Sequence, residues 1–501
     1  MAPPTIAPVL IDRLRGDLET AGYDVVRLAA VLGPTAVVAL ERENGLPAVL
    51  LARSSDDPAA TLARLLTLGD AVPTALAEAA LPTLGVDGAR ALGLVDTDGE
   101  SVRGTVDLRP VDVGGRVWWL TSDQDSSTTS RPVEPDHVLG VGGASRTLAE
   151  LTVRTPAVRA LDLGTGCGIQ ALTLTDHVDD VVATDISARA LSYAAFNAAL
   201  NEVEIEWREG SMLEPVAGEQ FDLVVSNPPF VITPRTGELA TYSYRDGGRS
   251  GDDLVRDLVT SVGDVLAPGG LVQMLGNWEI RRGRTWTERV EEWLEASGLD
   301  GWVIQREVLD PAHYAETWLR DGGISVERDR AAWEAAATAW LADFAAREVE
   351  GIGFGYLILR RPTTDRPRRH RLEELAGPVG PALGEQIAES LRVGDLLDGL
   401  DDDSLLELAP VVAGDVTDER HYVPGSPDPS VILLRQGGGF GRLIRADTVM
   451  SAVVGACDGE LTLGQITAGV AVLLDEPIGQ VRDAVVPALR ELLVDGLLTI
   501  P

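Results

Sequence analysis

The sequence predicts an α/β fold in which a mostly parallel sheet has helices on both faces. Three observations support this prediction. Short strand-like runs alternate with helical segments between residues 158 and 360, and this alternation is typical of parallel strands joined by crossover helices. A glycine-rich turn joins the first of these strands to the first helix. Helical segments with hairpin signals occupy both ends of the chain, which indicates smaller α+β domains on either side.

The sheet has seven predicted strands. They span about residues 158–163, 181–185, 204–208, 221–226, 270–276, 302–309 and 354–360. A long insert, residues 310–353, lies between the last two strands and contains a predicted helix over 328–348. Its Trp333, Trp340 and Phe344 recur at helical spacing, which favours a face packed into the core.

The turn after the first strand reads Leu161-Asp162-Leu163-Gly164-Thr165-Gly166-Cys167-Gly168. A strand, a glycine turn and a helix in this order bring a ligand against bare backbone at a helix N-terminus. The three glycines lack Cβ atoms, so the turn can adopt unusual dihedral angles and approach a ligand closely. The second strand ends at Asp185, where a doubly wound sheet would hold a pair of ribose hydroxyls.

The fourth strand ends in Ser226-Asn227-Pro228-Pro229-Phe230. Asn227 offers a side-chain carbonyl, and the two prolines lack N–H donors and have restricted φ, so this loop is stiff and rich in acceptors. Phe230 can stack on a planar group. An amide or exocyclic amine is a poor nucleophile because its lone pair is delocalised, and preorganised acceptors at its N–H groups help to localise it. A stiff, acceptor-rich loop of this kind suits such a nitrogen.

Three features together resemble class I S-adenosylmethionine (SAM) methyltransferases: the alternate glycines behind an acid, the acid that ends the second strand, and Asn-Pro-Pro-Phe at the end of the fourth. The resemblance covers roughly residues 135–362. Within that superfamily, Asn-Pro-Pro-aromatic resembles enzymes that methylate nitrogens conjugated to a carbonyl or ring, such as the release-factor glutamine, adenine-N6 DNA and ribosomal-RNA guanine-N2 methyltransferases. The resemblance implies a seven-stranded Rossmann-like sheet of strand order 3-2-1-4-5-7-6, with the last strand antiparallel.

The resemblance also implies which residues form the site. SAM would be the cofactor, and no metal is expected. Asp162 would help to hold the amino-acid end of SAM, and Asp185 would hold its ribose. The other cofactor-binding residues would be Gly164, Thr165, Gly166, Gly168, Ile186, Ser211 and Met212. The catalytic residues would be Asn227, Pro228, Pro229 and Phe230. An NAD site would need Gly-x-Gly-x-x-Gly spacing, which this turn does not have.

Two segments beside the site carry further signals. The polar loop 233–253 can cover a substrate. Its contact candidates are Tyr242, Tyr244, Arg245 and Asp246. A helix is expected to begin near Ser145, in the general position where the glutamine methyltransferases carry a loop over the cofactor. Because the residues there differ from the family pattern, neither Ser145 nor Thr147 is assigned a role.

Charge and cysteine content restrict the partners and the compartment. The formal net charge is −36, and all 42 basic residues are arginine. This acidity disfavours sequence-independent attraction to a phosphate backbone, so we expect no DNA partner. No apolar run reaches the roughly 20 residues of a membrane span, so we expect no membrane association. The N-terminus has no signal-peptide pattern, and Cys167 and Cys457 do not suggest a disulfide framework, which favours the cytoplasm.

Three domains are predicted: a helical, winged-helix-like domain over 1–130, the methyltransferase domain over 131–365 and a second winged-helix-like domain over 366–501. The basic stretch 366–371 is interpreted as the linker before the last domain. Each flank contains a hairpin signal around consecutive glycines. The flanks either select the substrate or only cover apolar surface of the catalytic domain.

The sequence therefore predicts a SAM-dependent methyltransferase. Its expected substrate is a planar amide or exocyclic amino nitrogen of a macromolecule, either a protein glutamine or a base of ribosomal RNA. The alternative is a SAM-binding scaffold or sensor that transfers no methyl group and whose flanking domains do the work. The intact Asn227 to Phe230 stretch argues against that alternative.

Overall fold

The computed structural model describes residues 2–40, 42, 44–125, 134–235, 242, 244–380 and 382–501. By internal contacts the chain divides into two units. One unit contains residues 1–149 and 156–374, and the other contains residues 150–155 and 375–501. The N-terminal flank therefore belongs to the same unit as the predicted methyltransferase sheet.

The N-terminal part of the first unit is mostly helical. Its helices are α1 (Pro8–Ala21), α2 (Val25–Leu40), α3 (Leu46–Arg53), α4 (Pro58–Leu62), α5 (Thr74–Ala80) and α6 (Gly85–Ala91), with a π-helical turn over Ala63–Thr67. Its strands are β1 (Val72–Pro73), β2 (Val95–Thr97), β3 (Ser101–Gly104), β4 (Asp107–Val113) and β5 (Arg116–Ser122). β4 and β5 form a hairpin whose turn residues, Gly114 and Gly115, have φ of 65° and 81°. Two positive φ values are what a type I′ turn requires. The winged-helix arrangement itself stays a prediction.

α2 is kinked at Gly33, where φ is 74° and Pro34 follows. Proline cannot donate the backbone hydrogen bond that would continue the helix, which explains the break. Within the described ranges, no single helix has the length and apolar character to cross a membrane, although α1 and α2 meet that test as a pair bent by 52°.

The central sheet follows helix α7 (Gly143–Leu151). Its strands are β6 (Ala157–Leu163), β7 (Val178–Asp185), β8 (Glu206–Glu209), β9 (Phe221–Ser226), β10 (Leu266–Arg281), β11 (Asp300–Leu309), β12 (Val349–Arg360) and β13 (His370–Glu374). The spatial order is β8-β7-β6-β9-β10-β12-β11-β13. β12 is antiparallel to both of its neighbours, and the other pairs are parallel. The strand order 3-2-1-4-5-7-6 is therefore confirmed for β6 to β12.

The prediction of seven strands is wrong by one, because the described part of the sheet has eight. The additional strand, β13, includes the end of the basic stretch 366–371. Arg366 donates to Asp300 at 2.9 Å, and Trp302 Nε1 donates to Glu373 at 2.6 Å. The stretch is therefore held along β11 and does not act as a free linker. A short, charged edge strand has no apolar alternation, so its sequence pattern does not reveal it.

Helices cover both faces of the sheet. They are α8 (Ile169–Leu174), α9 (Ala188–Leu200), α10 (Asp253–Ser261) and α11 (Trp286–Ser297), with short 3₁₀ segments over Glu214–Val216 and Val262–Val265. Asp162 in β6 accepts a hydrogen bond from the Ala171 amide, so α8 lies on the Asp162 side of the sheet. Leu161 and Leu163 face the other side, because alternate residues of a strand point in opposite directions. They share an apolar core with Val290 of α11.

The insert between β11 and β12 forms α12 (Pro311–Asp321) and α13 (Arg330–Ala346). Asp310 caps α12 by accepting hydrogen bonds from the amides at positions 312 and 313, and Pro311 occupies the first helical position, an arrangement that favours a helix start. Trp340 and Phe344 are 2% and 1% exposed and pack in one cluster with Tyr314. The predicted core-facing stripe is therefore confirmed at these two residues, and Trp333 is partly buried against the same cluster.

The N-terminal part and the central sheet share one apolar core. Leu14 and Trp118 belong to the same buried cluster as Phe196 of α9. Arg15 Nε also donates to the Leu200 carbonyl at the end of α9, at 2.9 Å. Because burial of shared apolar surface is a main source of stability, the N-terminal part stabilises α9 in addition to any other role.

The second unit is an α+β assembly. Its elements are α14 (Leu383–Asp398), α15 (Asp402–Leu406), β14 (Val411–Val412), β15 (Val416–Tyr422), β16 (Pro429–Gln436), β17 (Leu443–Ala446), α16 (Thr448–Gly455), α17 (Leu463–Leu474), α18 (Ile478–Val494) and β18 (Leu498–Thr499). β16 and β17 form the predicted glycine-linked hairpin at the edge of a β15-β16-β17 sheet. Leu434, Val453 and Leu489 are buried together and join the sheet to the helices.

Candidate active site

A cavity opens at the carboxyl ends of β6, β7 and β9. This edge is where ligands bind in open α/β sheets. Most of the predicted site residues line it: Gly164, Thr165, Gly166, Asp185, Ile186, Met212, Asn227 and Pro229. The other predicted residues lie outside the cavity wall as far as the described residues define it: Asp162, Gly168, Ser211, Pro228 and Phe230.

The glycines of the turn have different tasks. Gly164 and Gly166 have φ of 76° and 57°, and a Cβ added to either would meet no atom within 4 Å. The turn is therefore open on the side where these glycines line the cavity. A Cβ on Gly168 would lie 3.1 Å from the Cβ of Ala194 in α9. Gly168 thus permits close packing of the turn on α9, while Gly164 and Gly166 leave room for a ligand.

Asp185 joins the end of β7 to the glycine turn. Its Oδ2 accepts a hydrogen bond from the Gly166 amide at 2.9 Å, and its Oδ1 accepts one from the Ser187 amide at 2.8 Å. A carboxylate has about four acceptor sites, so both oxygens can accept a further donor. Burial raises the pKa of this carboxyl above its usual range, although the amide hydrogen bonds oppose that shift. Ile186, 61% exposed, adds apolar surface to the wall.

Asp162 supports the turn from behind. Its side chain is fully buried, and its Oδ2 accepts hydrogen bonds from the Thr165 hydroxyl at 2.5 Å and the Ala171 amide at 2.9 Å. Its Oδ1 is buried without a hydrogen bond to any described residue. Burial raises the pKa of this carboxyl to about 7. Asp162 therefore connects the turn to the start of α8 and does not face the cavity.

The segment after β8 contributes Gly210 and Met212 to the cavity wall. A Cβ on Gly210 would lie 2.4 Å from Cγ of Pro215, so only glycine fits there. Met212 has a positive φ of 45°, which is uncommon for a residue with a side chain. Ser211 lies between them but outside the wall.

Asn227 lies on the cavity wall at the end of β9. Its side chain makes no hydrogen bond within the described part of the chain, unlike the neighbouring Ser226, whose hydroxyl donates to the Leu163 carbonyl at 2.7 Å. Ser226 thus fixes the end of β9 to the end of β6. The Asn227 amide remains available to a molecule in the cavity.

The two residues next to Pro229 are engaged by the protein. The Pro228 carbonyl accepts a hydrogen bond from the Phe230 amide at 2.8 Å. The Phe230 ring meets the Phe354 ring edge-on, with centroids 6.3 Å apart, and packs against the core beneath the sheet. Phe230 therefore stabilises the loop by packing its ring against Phe354 and the apolar core.

Two aromatic rings beside the cavity come from outside the sheet. His137 and Tyr244 line the wall, and their rings meet edge-on with centroids 5.9 Å apart. Tyr244 donates its hydroxyl proton to Asp321 at 2.8 Å, and Arg245 donates to the Trp318 carbonyl at 2.9 Å. The insert helix α12 therefore holds the loop that follows Phe230. Residues 236–241 and 243 of the loop predicted to cover the substrate lie outside the described residues.

Polar contacts between α9 and the N-terminal part support the site, and the sequence did not indicate them. Asn197, fully buried in α9, donates to the Thr121 carbonyl of β5 at 3.0 Å and to the Cys167 carbonyl of the turn at 2.8 Å. The signal that would have suggested this role is a lone asparagine within an apolar helix, because buried amides are hydrogen-bonded. Burial raises the pKa of the Cys167 thiol to about 11, so the thiol stays protonated and packs as a small residue.

His137 is fixed by a second cluster of this kind. Asp123 follows β5 and accepts hydrogen bonds from Arg189 at 2.6 Å and from the Tyr193 hydroxyl at 2.8 Å. It also accepts one from the Val138 amide at 2.8 Å, which positions the backbone beside His137. Burial lowers the pKa of His137 below its usual range, so a neutral imidazole faces the cavity at neutral pH.

The cavity fits the parts of SAM. The open backbone at Gly164 and Gly166 gives room for close approach, Asp185 has free acceptor sites for hydroxyl donors, and Ile186 and Met212 offer apolar surface for a ring. Across the described ranges, no three His, Cys, Asp or Glu side chains are grouped so as to hold a metal ion.

Two protein families match this chain. The family described as "Methyltransferase small domain" matches residues 140–296, which include the glycine turn, Asp185 and the Asn-Pro-Pro-Phe loop. A second family, "Domain of unknown function (DUF7059)", matches residues 20–105 in the N-terminal part.

Curated relatives of this chain include release factor glutamine methyltransferases. The one from Deinococcus radiodurans is 39% identical over 23% of this chain and 45% of its own length. The one from Xylella fastidiosa strain 9a5c is 34% identical over 33% of this chain and 62% of its own length. The chain thus spans about half the length of the curated relatives it matches. A solved T. thermophilus 16S rRNA N2 G1207 methyltransferase aligns at 14% identity over 62% of this chain and 69% of that chain, with a TM-score of 0.30.

The family match and the similarity to the glutamine methyltransferases cover the part of the chain that contains the cavity and its motifs. The strand order is the one that the resemblance to these methyltransferases implies, and the cavity lies at the carboxyl edge of the sheet. The central part of this chain therefore matches the methyltransferase small domain family and has the motifs and strand order of a class I SAM-dependent methyltransferase domain of the Asn-Pro-Pro-aromatic group.

Proposed function

We propose that this protein transfers a methyl group from SAM to the side-chain amide nitrogen of a glutamine in a protein substrate. The observation that carries this proposal is the Asn227 side chain. It lies on the cavity wall with no hydrogen bond to any described residue, together with the open glycine turn and Asp185. A free amide at that point suits the recognition of another amide, because it can accept from an N–H and donate to a carbonyl.

The cofactor would be held by the residues that line the cavity. The Asp185 carboxylate would accept hydrogen bonds from the ribose hydroxyls, and the backbone at Gly164 and Gly166 would approach the amino-acid end. Ile186 and Met212 would enclose the adenine. Asp162 would act through the turn that it supports, since its oxygens face Thr165 and the start of α8. When bound, SAM supplies an electrophilic methyl group on a sulfonium.

The acceptor nitrogen would be activated by hydrogen bonding. Asn227 Oδ1 would accept a hydrogen bond from one N–H of the substrate amide, and the Pro229 carbonyl oxygen would accept one from the other N–H. Both hydrogen bonds would increase the lone-pair density on the nitrogen. The stiff Pro228-Pro229 backbone would hold these acceptors in place before the substrate arrives. The rings of His137 and Tyr244, which line the cavity, would hold the planar group. Phe230 would not contact the substrate but would hold the loop in place through its packing against Phe354.

A protein substrate is favoured over ribosomal RNA on two grounds. The relatives with 34–39% identity carry the name release factor glutamine methyltransferase. The net charge of −36 opposes binding to a phosphate backbone. Phenylalanine after Pro-Pro is the feature that points towards the RNA guanine enzymes, and RNA methylation is therefore the competing outcome of the test.

The flanking regions would select the substrate, because a pocket for one planar group cannot by itself distinguish one site in a large molecule. The apolar core that the N-terminal part shares with α9 supports a stabilising role for this part as well, and we propose that it serves both tasks. We place the activity in the cytoplasm, with a soluble macromolecular substrate. The two cysteines are buried free thiols, which suits a reducing compartment.

The experiment is a comparison of a deletion strain with its parent. Mass spectrometry of tryptic peptides and of ribosomal RNA nucleosides should reveal one N5-methylglutamine that disappears on deletion and returns with the wild-type gene. Loss of a methylated base with an unchanged proteome would move the substrate to RNA. No difference in either, with SAM binding intact in the purified protein, would refute methyl transfer to these substrates and favour a SAM-binding scaffold.

A further inference from the structure

Gln170 lies in the first turn of α8 and lines the same cavity as Asp185 and Asn227. It is 4% exposed, so its amide is almost fully removed from solvent. Its Nε2 donates a hydrogen bond to the Ser145 carbonyl of α7 at 2.7 Å. Its Oε1 is buried and makes no hydrogen bond with any residue that the structure describes.

The orientation of this amide is determined by its partner. Exchange of the oxygen and nitrogen positions would place Oε1 against the Ser145 carbonyl, and two acceptors repel each other. The oxygen is therefore the free end. A buried amide oxygen without a donor is destabilising, and the great majority of such atoms in folded proteins have a partner. A residue that keeps such an oxygen in a cavity wall is suited to a ligand that brings its own N–H donor.

SAM carries three groups that can donate hydrogen bonds: the ribose hydroxyls, the adenine amino group and the ammonium of its amino-acid tail. Asp185 has free acceptor sites for the hydroxyls at the end of β7. The adenine side of the cavity is formed by Ile186 and by Met212 after β8. Gln170 belongs to neither segment, because it follows the glycine turn and contacts α7. The ammonium is the remaining donor, and as a cation it forms the strongest hydrogen bond of the three.

We propose that Gln170 Oε1 accepts a hydrogen bond from the ammonium group of the amino-acid tail of SAM, and that the Ser145 carbonyl positions the Gln170 amide for this contact. This inference rests on SAM binding in the proposed function. It gives the chain a means of distinguishing SAM and S-adenosylhomocysteine from nucleosides that lack the tail. It also assigns a positioning role to the backbone carbonyl of Ser145 in α7, a residue whose side chain matches no family pattern.

The test is a thermodynamic cycle that combines one substitution in the protein with one change in the ligand, measured by calorimetry on the full-length protein. Wild type and Gln170→Leu are each titrated with S-adenosylhomocysteine and with its analogue lacking only the amino group. 5′-Methylthioadenosine, which has no tail, is the control ligand. We expect Gln170→Leu to weaken S-adenosylhomocysteine binding roughly ten- to a hundredfold, as for a hydrogen bond to a charged group. Binding of the deamino analogue and of methylthioadenosine should change less than about threefold.

Gln170→Glu separates the acceptor from the contact with Ser145, because it keeps an oxygen and loses the N–H donor. We expect it to bind S-adenosylhomocysteine more tightly than Gln170→Leu does, and it replaces that variant if leucine impairs folding. Equal losses for all three ligands, or no loss for S-adenosylhomocysteine, would each overturn the proposal. If the wild type itself bound no S-adenosylhomocysteine, the proposed function would fail instead, so the two failures are distinguishable.

Discussion

The Asp185 carboxylate accepts a hydrogen bond from the Gly166 amide at 2.9 Å, which ties the end of β7 to the middle of the glycine turn. One acid therefore has two tasks. It holds the turn in the conformation that opens the cavity, and it presents its remaining acceptor sites to a ligand. The two motifs that are separate in the chain form one unit in the fold.

Replacement of Asp185 by alanine should weaken SAM binding by roughly 1–3 kcal/mol, because two ribose donors lose an acceptor and the Gly166 amide loses its partner. Calorimetry with SAM measures this loss. Asp180→Ala is the matched control, since Asp180 lies on the same strand with an exposed side chain that pairs with Arg159. Unchanged SAM affinity in Asp185→Ala, or an equal loss of affinity in the control, would show that Asp185 does not bind the ribose of SAM.

Gly164→Ala and Gly168→Ala should separate ligand binding from packing. Both residues have positive φ, 76° and 93°, so both variants should lose roughly 1–2 kcal/mol of stability from backbone strain. Only the Cβ at 168 meets α9, at 3.1 Å from Ala194, so Gly168→Ala should be the less stable of the two in urea unfolding. Gly164→Ala should show the larger loss of SAM affinity. The reverse ranking in both measurements would contradict the division of tasks within the turn.

Asp162 should make the free energy of unfolding depend on pH. Its carboxyl has a pKa of about 7 in the folded protein, against about 4 in an unfolded chain. Between these values the folded state holds a proton that the unfolded state has lost, so stability from this residue is complete below pH about 4 and falls as pH rises to about 7. Asp162→Asn should remove this decline, which urea unfolding of both proteins from pH 4 to 8 would reveal. Parallel curves for the two proteins would show that the carboxyl titrates normally.

The edge strand β13 should be required for a stable first unit. Fragments 1–374 and 1–365 both lack residues 375–501, which form most of the second unit, and only the longer fragment keeps β13. The shorter fragment leaves Trp302 and Trp286 without Glu373 and Glu374, to which their ring nitrogens donate at 2.6 Å each. We expect 1–374 to melt cooperatively and to bind SAM, and 1–365 to melt at a lower temperature or to aggregate. Equal melting temperatures would place the domain boundary near residue 365 instead.

Local motifs were sufficient to predict many of the residues that line the cavity. The glycine turn, Asp185 and Asn227 were predictable because each one occupies the end of a strand that the apolar pattern already indicates, and parallel strand ends meet at one edge. The strand order was predictable through the family resemblance.

The remaining features depend on contacts between distant parts of the chain. Phe230 is directed towards Phe354, which lies on a strand far along the sequence. Tyr244 reaches the cavity because α12 holds its hydroxyl, and nothing local to either segment indicates that pairing. β13 is charged and short, so it lacks the alternation by which strands are identified.

Methyl transfer by Asn227→Ala tests the proposed function most directly. Its rate should be measured with labelled SAM and with the substrate identified in the deletion strain, alongside calorimetry for SAM. Because Asn227 is proposed to accept a hydrogen bond from the substrate nitrogen, we expect SAM affinity close to wild type and a loss of turnover of roughly a hundredfold or more. A variant that binds SAM normally and methylates that substrate at the wild-type rate would contradict the proposal that this amide activates the acceptor nitrogen.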